Sequence, residues 1–230
     1  RILGMCKGAG MIGPRMATML AVIATDACLT PETAQSTLQA CTDVSFNCIS
    51  VEGHMSTNDT VLLLASGAAM EAPLERDDLN SFGRAVQEVC IDLARQIADD
   101  GEGASHLINI QVSGCATEAD ARRIAETVAH SNLVKTGIAG ADPNWGRIVS
   151  AVGYAGVSFD RDSLGLVLNG FSLFQNGAPV EFDAAVVSQS MREQRETTVE
   201  LTFAEGSAAA RFWTSDLTVE YVRFNSEYHT

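Results

Sequence analysis

The stretch Lys7-Gly8-Ala9-Gly10-Met11-Ile12-Gly13-Pro14-Arg15-Met16-Ala17-Thr18-Met19-Leu20 holds a Thr where one particular chemistry would fit. A Thr hydroxyl is a weak nucleophile until a base takes its proton. Cutting the chain just before Thr18 would free an α-amine to act as that base, fixed beside the hydroxyl by covalent geometry. An α-amine titrates near roughly 7.7–8.0, so much of it is neutral at working pH. Ala17 is small enough to let the hydroxyl reach the preceding carbonyl. A Gly/Pro-rich loop leading into an apolar segment suits strain at the bond and a fixed nucleophile after it. The alternative is a Thr hydrogen-bonded within an apolar core segment.

Two further clusters carry polar chemistry. Asp142-Pro143-Asn144-Trp145-Gly146-Arg147 is a turn former whose Trp and Arg would frame a small anionic or zwitterionic ligand, or else simply pack. Asp99-Asp100-Gly101-Glu102-Gly103 either presents a carboxylate to an amine or is an acidic helix end, unfavourable against the helix dipole. Other chemistries lack their residues. There is no Walker loop, and Gly8-Ala9-Gly10 lacks the third glycine of a dinucleotide fingerprint. His54, His106, His130 and His229 are scattered with no zinc spacing, so no metal site is expected.

These residues need a scaffold. Met16 to Thr25 reads as a buried strand, with a buried helix as the alternative. Thr30-Pro31-Glu32 is a helix start, and the helix should run to about Phe46. Ser50 to Asp59 reads as a loop and Thr60 to Ala65 as a strand. Leu79, Phe82, Val86, Val89, Leu93 and Ile97 recur every three or four residues, one stripe of a long helix. The glycines at 101 and 103 should stop it. Leu107 to Val112 reads as a strand and Glu118 to Ser131 as a helix. Leu164–Leu168, Asn169-Gly170 and Phe171–Phe174 predict a hairpin on a type I′ turn. Asn176-Gly177 marks another turn before Val180 to Phe182, and Asp183 opens a helix. Thr197–Phe203 and Ala208–Thr214 look like an antiparallel pair, and Leu217–Phe224 like a last strand. The expected architecture is mixed α/β with antiparallel pairs, in two lobes meeting near residue 160.

Composition bounds the function. The 230 residues are 46% hydrophobic and carry a net charge of −14, so a sizeable core is available. Such an acidic chain is a poor non-specific binder of nucleic acid or anionic membrane, and no apolar run spans a bilayer. Cys6, Cys28, Cys41, Cys48, Cys90 and Cys115 include no C-x-x-C pair and read as reduced, cytosolic thiols. The chain opens on Arg1-Ile2-Leu3 and not Met, which reads as a piece of a longer polypeptide.

Taken in order, the motifs resemble one family. The Lys7–Leu20 stretch is similar to the cleavage segment of ornithine acetyltransferase, also called glutamate N-acetyltransferase, of arginine biosynthesis. Ser56-Thr57-Asn58-Asp59-Thr60, Asp100-Gly101-Glu102-Gly103-Ala104, Asp142–Arg147 and Asn225-Ser226-Glu227-Tyr228 extend the resemblance over essentially the whole chain. One departure is His54, where the family pattern carries an Asp.

The resemblance implies a self-processing N-terminal-nucleophile fold. It implies a precursor cut at Ala17–Thr18 into an α chain and a β chain. Residues 1–17 would be the α-chain tail, 18–160 a nucleophile-bearing lobe, and 161–230 a smaller C-terminal α/β lobe. Thr18 matches the family nucleophile. Lys7, Glu102, Asn225 and Thr230 match substrate-binding positions, Glu102 toward the substrate amino group. The family's oxyanion-hole Thr and Gly would lie upstream. The implied activity is ping-pong transfer of acetyl from N2-acetylornithine to glutamate through an acyl-enzyme on Thr18. No cofactor is implied. Some members also take acetyl from acetyl-CoA, and no residue here decides that. The implied partner is the α chain, in a cytoplasmic α2β2 heterotetramer. Two rivals remain: an N-terminal-nucleophile aminopeptidase or amidohydrolase of the same fold, and a catalytically silent fragment that binds its missing half.

Overall fold

The computed structural model describes residues 1–12, 19–54 and 56–227. The chain forms two compact units, Arg1–Gly101 and Glu102–Thr230. The expected boundary near residue 160 falls inside the second unit. Its cause is long-range strand pairing: a strand before residue 160 pairs with strands after it.

In the first unit, strand β1 (Ile2–Lys7) runs antiparallel to β2 (Leu20–Thr25). A short strand β3 (Ile49–Ser50) precedes β4 (Thr60–Ala65), which lies parallel to β2. The register sets Lys7, Leu20 and Thr60 side by side across the three strands. Helix α1 (Pro31–Asp43) starts as its residues dictate. Thr30 Oγ1 accepts from the Thr33 amide at 3.2 Å, Thr33 Oγ1 accepts from the Thr30 amide at 3.0 Å, and Pro31 occupies the first turn. It stops before the expected end, and Phe46–Cys48 form a separate 3-10 turn.

Helix α2 (Arg76–Asp99) is the long helix the apolar stripe predicts. Val86, Leu93 and Ile97 are buried, and Leu79, Phe82 and Val89 are half-buried. The helix lies on β1, where Cys6 Sγ donates to the Leu93 carbonyl at 3.6 Å. Residues 16–18 of the expected Met16–Thr25 strand lie outside the described residues. The rest, β2, buries Ala21, Ile23 and Thr25 while Leu20 is exposed. It is therefore a strand with one covered face. On its other face Leu3, Met5, Leu62 and Leu64 are exposed.

In the second unit the strands run in the order β10-β5-β9-β6-β7-β8. They are β5 (Leu107–Cys115), β6 (Gly165–Leu168), β7 (Phe171–Gln175), β8 (Ala178–Pro179), β9 (Glu196–Thr202) and β10 (Ala208–Ser215). The β6–β7 hairpin turns at Asn169 and Gly170 with φ of 48° and 82°, the type I′ geometry expected there. The expected direct pairing of β9 with β10 is corrected. β5 lies between them, parallel to β9 and antiparallel to β10. β5 is buried on both faces over Leu107–Ile110, as a central strand must be. Its end admits the connection from β9 because Gly114 has no side chain. A Cβ there would lie 2.0 Å from the Phe203 carbonyl oxygen.

Helix α3 (Glu118–Ala129) covers β5 and β10. Ser131 does not end that helix but caps a new one, α4 (Asn132–Ala139). Then come α5 (Trp145–Gly153) and α6 (Ala184–Glu193), the latter capped by Asp183 as expected. The expected last strand is instead helix α7 (Val219–Glu227). Thr218 accepts from the Tyr221 amide at 3.2 Å and Glu220 sits in the first turn, two helix-start features that outweigh the alternating apolar residues.

Candidate active site

The first unit gathers its polar groups at one end of the β1-β2-β4 sheet. Lys7 ends β1 opposite Leu20, and its side chain reaches solvent. The loop joining β3 to β4 grips the chain beside it. Asp59, only 6% exposed, accepts the Met19 amide on Oδ1 at 2.6 Å, and the Met19 carbonyl accepts the Thr60 amide at 3.0 Å. Burial pushes the Asp59 carboxyl above its ordinary value, and the Met19 amide and the Lys7 charge pull against that rise.

The same loop grips the other side. Glu52 accepts the Met11 amide at 3.0 Å and the Ile12 amide at 2.9 Å. The Ile12 carbonyl accepts the Val51 amide at 2.7 Å and the Ser50 hydroxyl at 3.0 Å. Burial raises the Glu52 carboxyl too, opposed by the amides of His54, Ile12 and Met11 and by the His54 charge. Ile12 and Met19 are buried anchors. Ala17 and Thr18, the expected cleavage pair, lie between these anchors and outside the described residues.

The second unit brings together two residues far apart in sequence. Asn225 Nδ2 donates to Glu102 Oε2 at 3.2 Å and to the Tyr221 carbonyl at 3.1 Å. Thr218 Oγ1 donates to the Gly103 carbonyl at 2.6 Å, and Arg195 donates to the Ala104 carbonyl at 3.1 Å. Thr230 lies outside the described residues.

A few residues after Glu102, a polar knot forms around the buried Asp216 carboxylate. Asp216 takes the Ser105 amide on Oδ1 at 2.8 Å, and Oδ2 takes the Ser105 hydroxyl and His106 Nδ1, the latter at 3.0 Å. His106 Nε2 lies 3.0 Å from the Met191 carbonyl, which can only accept, so Nε2 carries a hydrogen. Burial alone would push the Asp216 carboxyl up. The side chains of His106 and Ser105 and their two amides outweigh it and hold the carboxyl below its ordinary range.

The Asp142–Arg147 cluster spends its groups internally. Arg147 Nη1 donates to the Leu133 carbonyl at 2.9 Å and to Thr136 Oγ1 at 3.2 Å, and Nη2 lies 3.6 Å from Asp142. Trp145 packs against Phe174 with ring centroids 5.3 Å apart. These contacts are those of the packing alternative. Among the described residues no group of His, Cys, Asp and Glu is arranged to hold a metal ion.

Sequence reasoning missed Glu52, Asp59, His106 and Asp216. Asp59 lies within Ser56–Thr60, and its place directly before an apolar strand is the one signal the sequence offers for it. His106 and Asp216 had none, because their partnership spans 110 residues.

Comparison with known proteins gives the family. The model of the ArgJ family matches residues 1–230. The arginine biosynthesis bifunctional protein ArgJ of Rhodopirellula baltica is 48% identical over 233 residues, covering 100% of this chain and 57% of that protein. The ArgJ protein of Bacillus subtilis is 42% identical, covering 99% and 56%. A chloroplastic ArgJ protein of Citrullus lanatus is 44% identical, covering 100% and 52%. The chain thus spans a little over half the length of these curated relatives. A crystal structure of the ArgJ protein of Bacillus halodurans superposes with a TM-score of 0.87 at 36% identity, covering 90% of this chain and 98% of that one. The mixed α/β architecture is that of the solved relative, and the chain belongs to the ArgJ family.

Proposed function

We propose that this chain is the nucleophile-bearing part of a self-cleaving enzyme that moves acetyl from N2-acetylornithine to glutamate. Residues 1–17 are the tail of the α chain, and the β chain begins at Thr18. The observation that carries the proposal is the hydrogen bond between Glu102 and Asn225. Two positions matched to substrate contacts, remote in sequence, form one polar patch able to hold an amino acid's ammonium. Lys7 supplies a cation for a carboxylate, at the end of the sheet where Met19 enters β2.

In self-cleavage, Thr18 Oγ attacks the Ala17 carbonyl carbon. The C–N bond breaks, the nitrogen takes the hydroxyl proton, and an ester joins Ala17 to Thr18. Water then hydrolyses the ester to an Ala17 carboxylate and a free Thr18 hydroxyl. In transfer, the new α-amine takes the Thr18 proton as Oγ attacks the acetyl carbonyl. Ornithine leaves with that proton on its amine. The glutamate amine then attacks the acetyl ester, forming N-acetylglutamate and returning the proton to Thr18. Oxyanion donors from the rest of the α chain would lower the barrier by a few kcal/mol. The relatives' bifunctional name supports acetyl-CoA as a second donor.

The partner is the remainder of the α chain, in a cytoplasmic α2β2 assembly. An apolar sheet face left exposed at Leu3, Met5, Leu62 and Leu64 supports a covering partner. Six free thiols support a reducing compartment. No helix is long and apolar enough to cross a membrane among the described residues.

The deciding experiment is Thr18→Ala in the full-length protein, with intact mass and acetyl transfer as readouts. One uncut chain with no transfer is expected. Transfer surviving in the purified variant would sink the assignment.

A further inference from the structure

One loop, residues 50–60, holds the chain on both sides of residues 13–18. Glu52 takes the Met11 and Ile12 amides, and Ser50 and Val51 donate to the Ile12 carbonyl. Asp59 takes the Met19 amide, and Thr60 donates to the Met19 carbonyl. Both carboxylates sit where burial disfavours their charge, a cost that surface acids do not carry. Each instead binds backbone amides that regular strand pairing leaves free.

We propose that Glu52 and Asp59 are positioning residues for the Ala17–Thr18 bond, with different working lives. The proposal rests on Thr18 being the nucleophile. Met19 follows Thr18 directly in the chain, so the Asp59 hydrogen bond to the Met19 amide holds the residue next to the nucleophile. Met19 stays attached to Thr18 after the cut. Asp59 therefore positions the nucleophile in self-cleavage and again in every turnover. Glu52 holds amides on the other side of the bond. Once the bond is cut, those amides belong to a separate chain that the β1–β2 ladder already retains. Glu52 thus serves cleavage alone.

The test uses the full-length protein carrying Asp59→Ala, Asp59→Asn or Glu52→Ala, with Thr18→Ala as control. Self-cleavage is followed by intact mass, kcat and KM are measured on fully cut protein, and folding is checked by thermal melting. Small misplacements of a reacting group cost up to about a hundredfold in rate, so Asp59→Ala should slow cleavage and lower kcat by about tenfold to a hundredfold. Its KM should not move. Asp59→Asn keeps an Oδ1 acceptor and should restore most of both rates. Glu52→Ala should slow cleavage by a similar factor and leave the kcat of cut enzyme within about twofold of wild type. Wild-type rates in Asp59→Ala would overturn the proposal. So would Asp59→Asn as slow as Asp59→Ala, or a kcat loss in cut Glu52→Ala matching that of Asp59→Ala. If Asp59→Ala does not fold, Asp59→Val fills the volume without an acceptor and takes its place. Transfer by Thr18→Ala would remove the nucleophile itself. An inactive Thr18→Ala beside a normal Asp59→Ala would remove only the role given to Asp59.

Discussion

Asp216 shows how one side chain ties a functional patch to the core. Its two oxygens take the Ser105 amide, the Ser105 hydroxyl and His106 Nδ1, and its own amide donates to the His106 carbonyl at 3.0 Å. The segment that carries Glu102 is thereby fastened to the segment that leads into α7 and Asn225. Burial works against the Asp216 charge, but the hydrogen bonds prevail and its carboxyl titrates below the ordinary value. An unfolded Asp titrates near 3.9, so this stabilisation is present above about pH 4 and is lost as the pH falls through the lower folded value. Asp216→Asn should cost about 1–3 kcal/mol at pH 7, because one buried acceptor oxygen becomes an NH2 and its part-buried donors lose their partner. The gap to wild type should narrow below about pH 4. Urea unfolding of both proteins from pH 7 to pH 3 measures this, and a gap independent of pH would refute it. At this scale the sequence exposes residues with motif neighbours and hides those without. Lys7, Glu102 and Asn225 lie in stretches that resemble the motifs of a known family. His106 and Asp216 are ordinary residues in their local settings, and only the fold makes them partners.

Helix α2 is the element the sequence states most plainly, and the packing explains why. Twenty-four residues give the 3.6-residue period room to show, and Val86, Cys90, Leu93 and Ile97 all land in the core. Leu93 is 8% exposed and lies against β1. Leu93→Ala should cost about 2–5 kcal/mol, the usual range for an emptied core site. Glu88, exposed on the opposite side of the same helix, should tolerate Ala within about 0.5 kcal/mol. Equal costs in urea unfolding would place the core elsewhere. Short elements carry less information. Leu217–Phe224 alternates well enough for a strand, but Thr218 can cap a helix, and that local hydrogen bond decides. Thr197–Phe203 and Ala208–Thr214 look like a hairpin because they are close in sequence. What separates them is β5, a strand some ninety residues earlier that needs cover on both edges. Periodicity reports what an element buries and not which neighbour it pairs with.

At the scale of the whole molecule, the open side of the β1-β2-β4 sheet calls for an occupant. Leu3 is 73% exposed, Met5 69% and Leu64 54%, and the strand register places all three on one face. A chain with a net charge of −14 has no shortage of polar residues to put there. Apolar side chains clustered on one face are instead the mark of a surface covered in the working protein. The curated relatives are longer by almost half their length, which supplies a covering segment without invoking another protein. Met5 makes the idea measurable, because its thioether oxidises to a sulfoxide when reachable. In residues 1–230 expressed alone, dilute hydrogen peroxide should oxidise Met5 readily, and no acetyl transfer should be seen. Co-expression with the remainder of the full-length protein should protect Met5 and restore transfer together. Protection without transfer would assign the partner a scaffolding role only. Transfer with Met5 still oxidised at the same rate would mean that the activity is completed elsewhere and that this face meets a different surface.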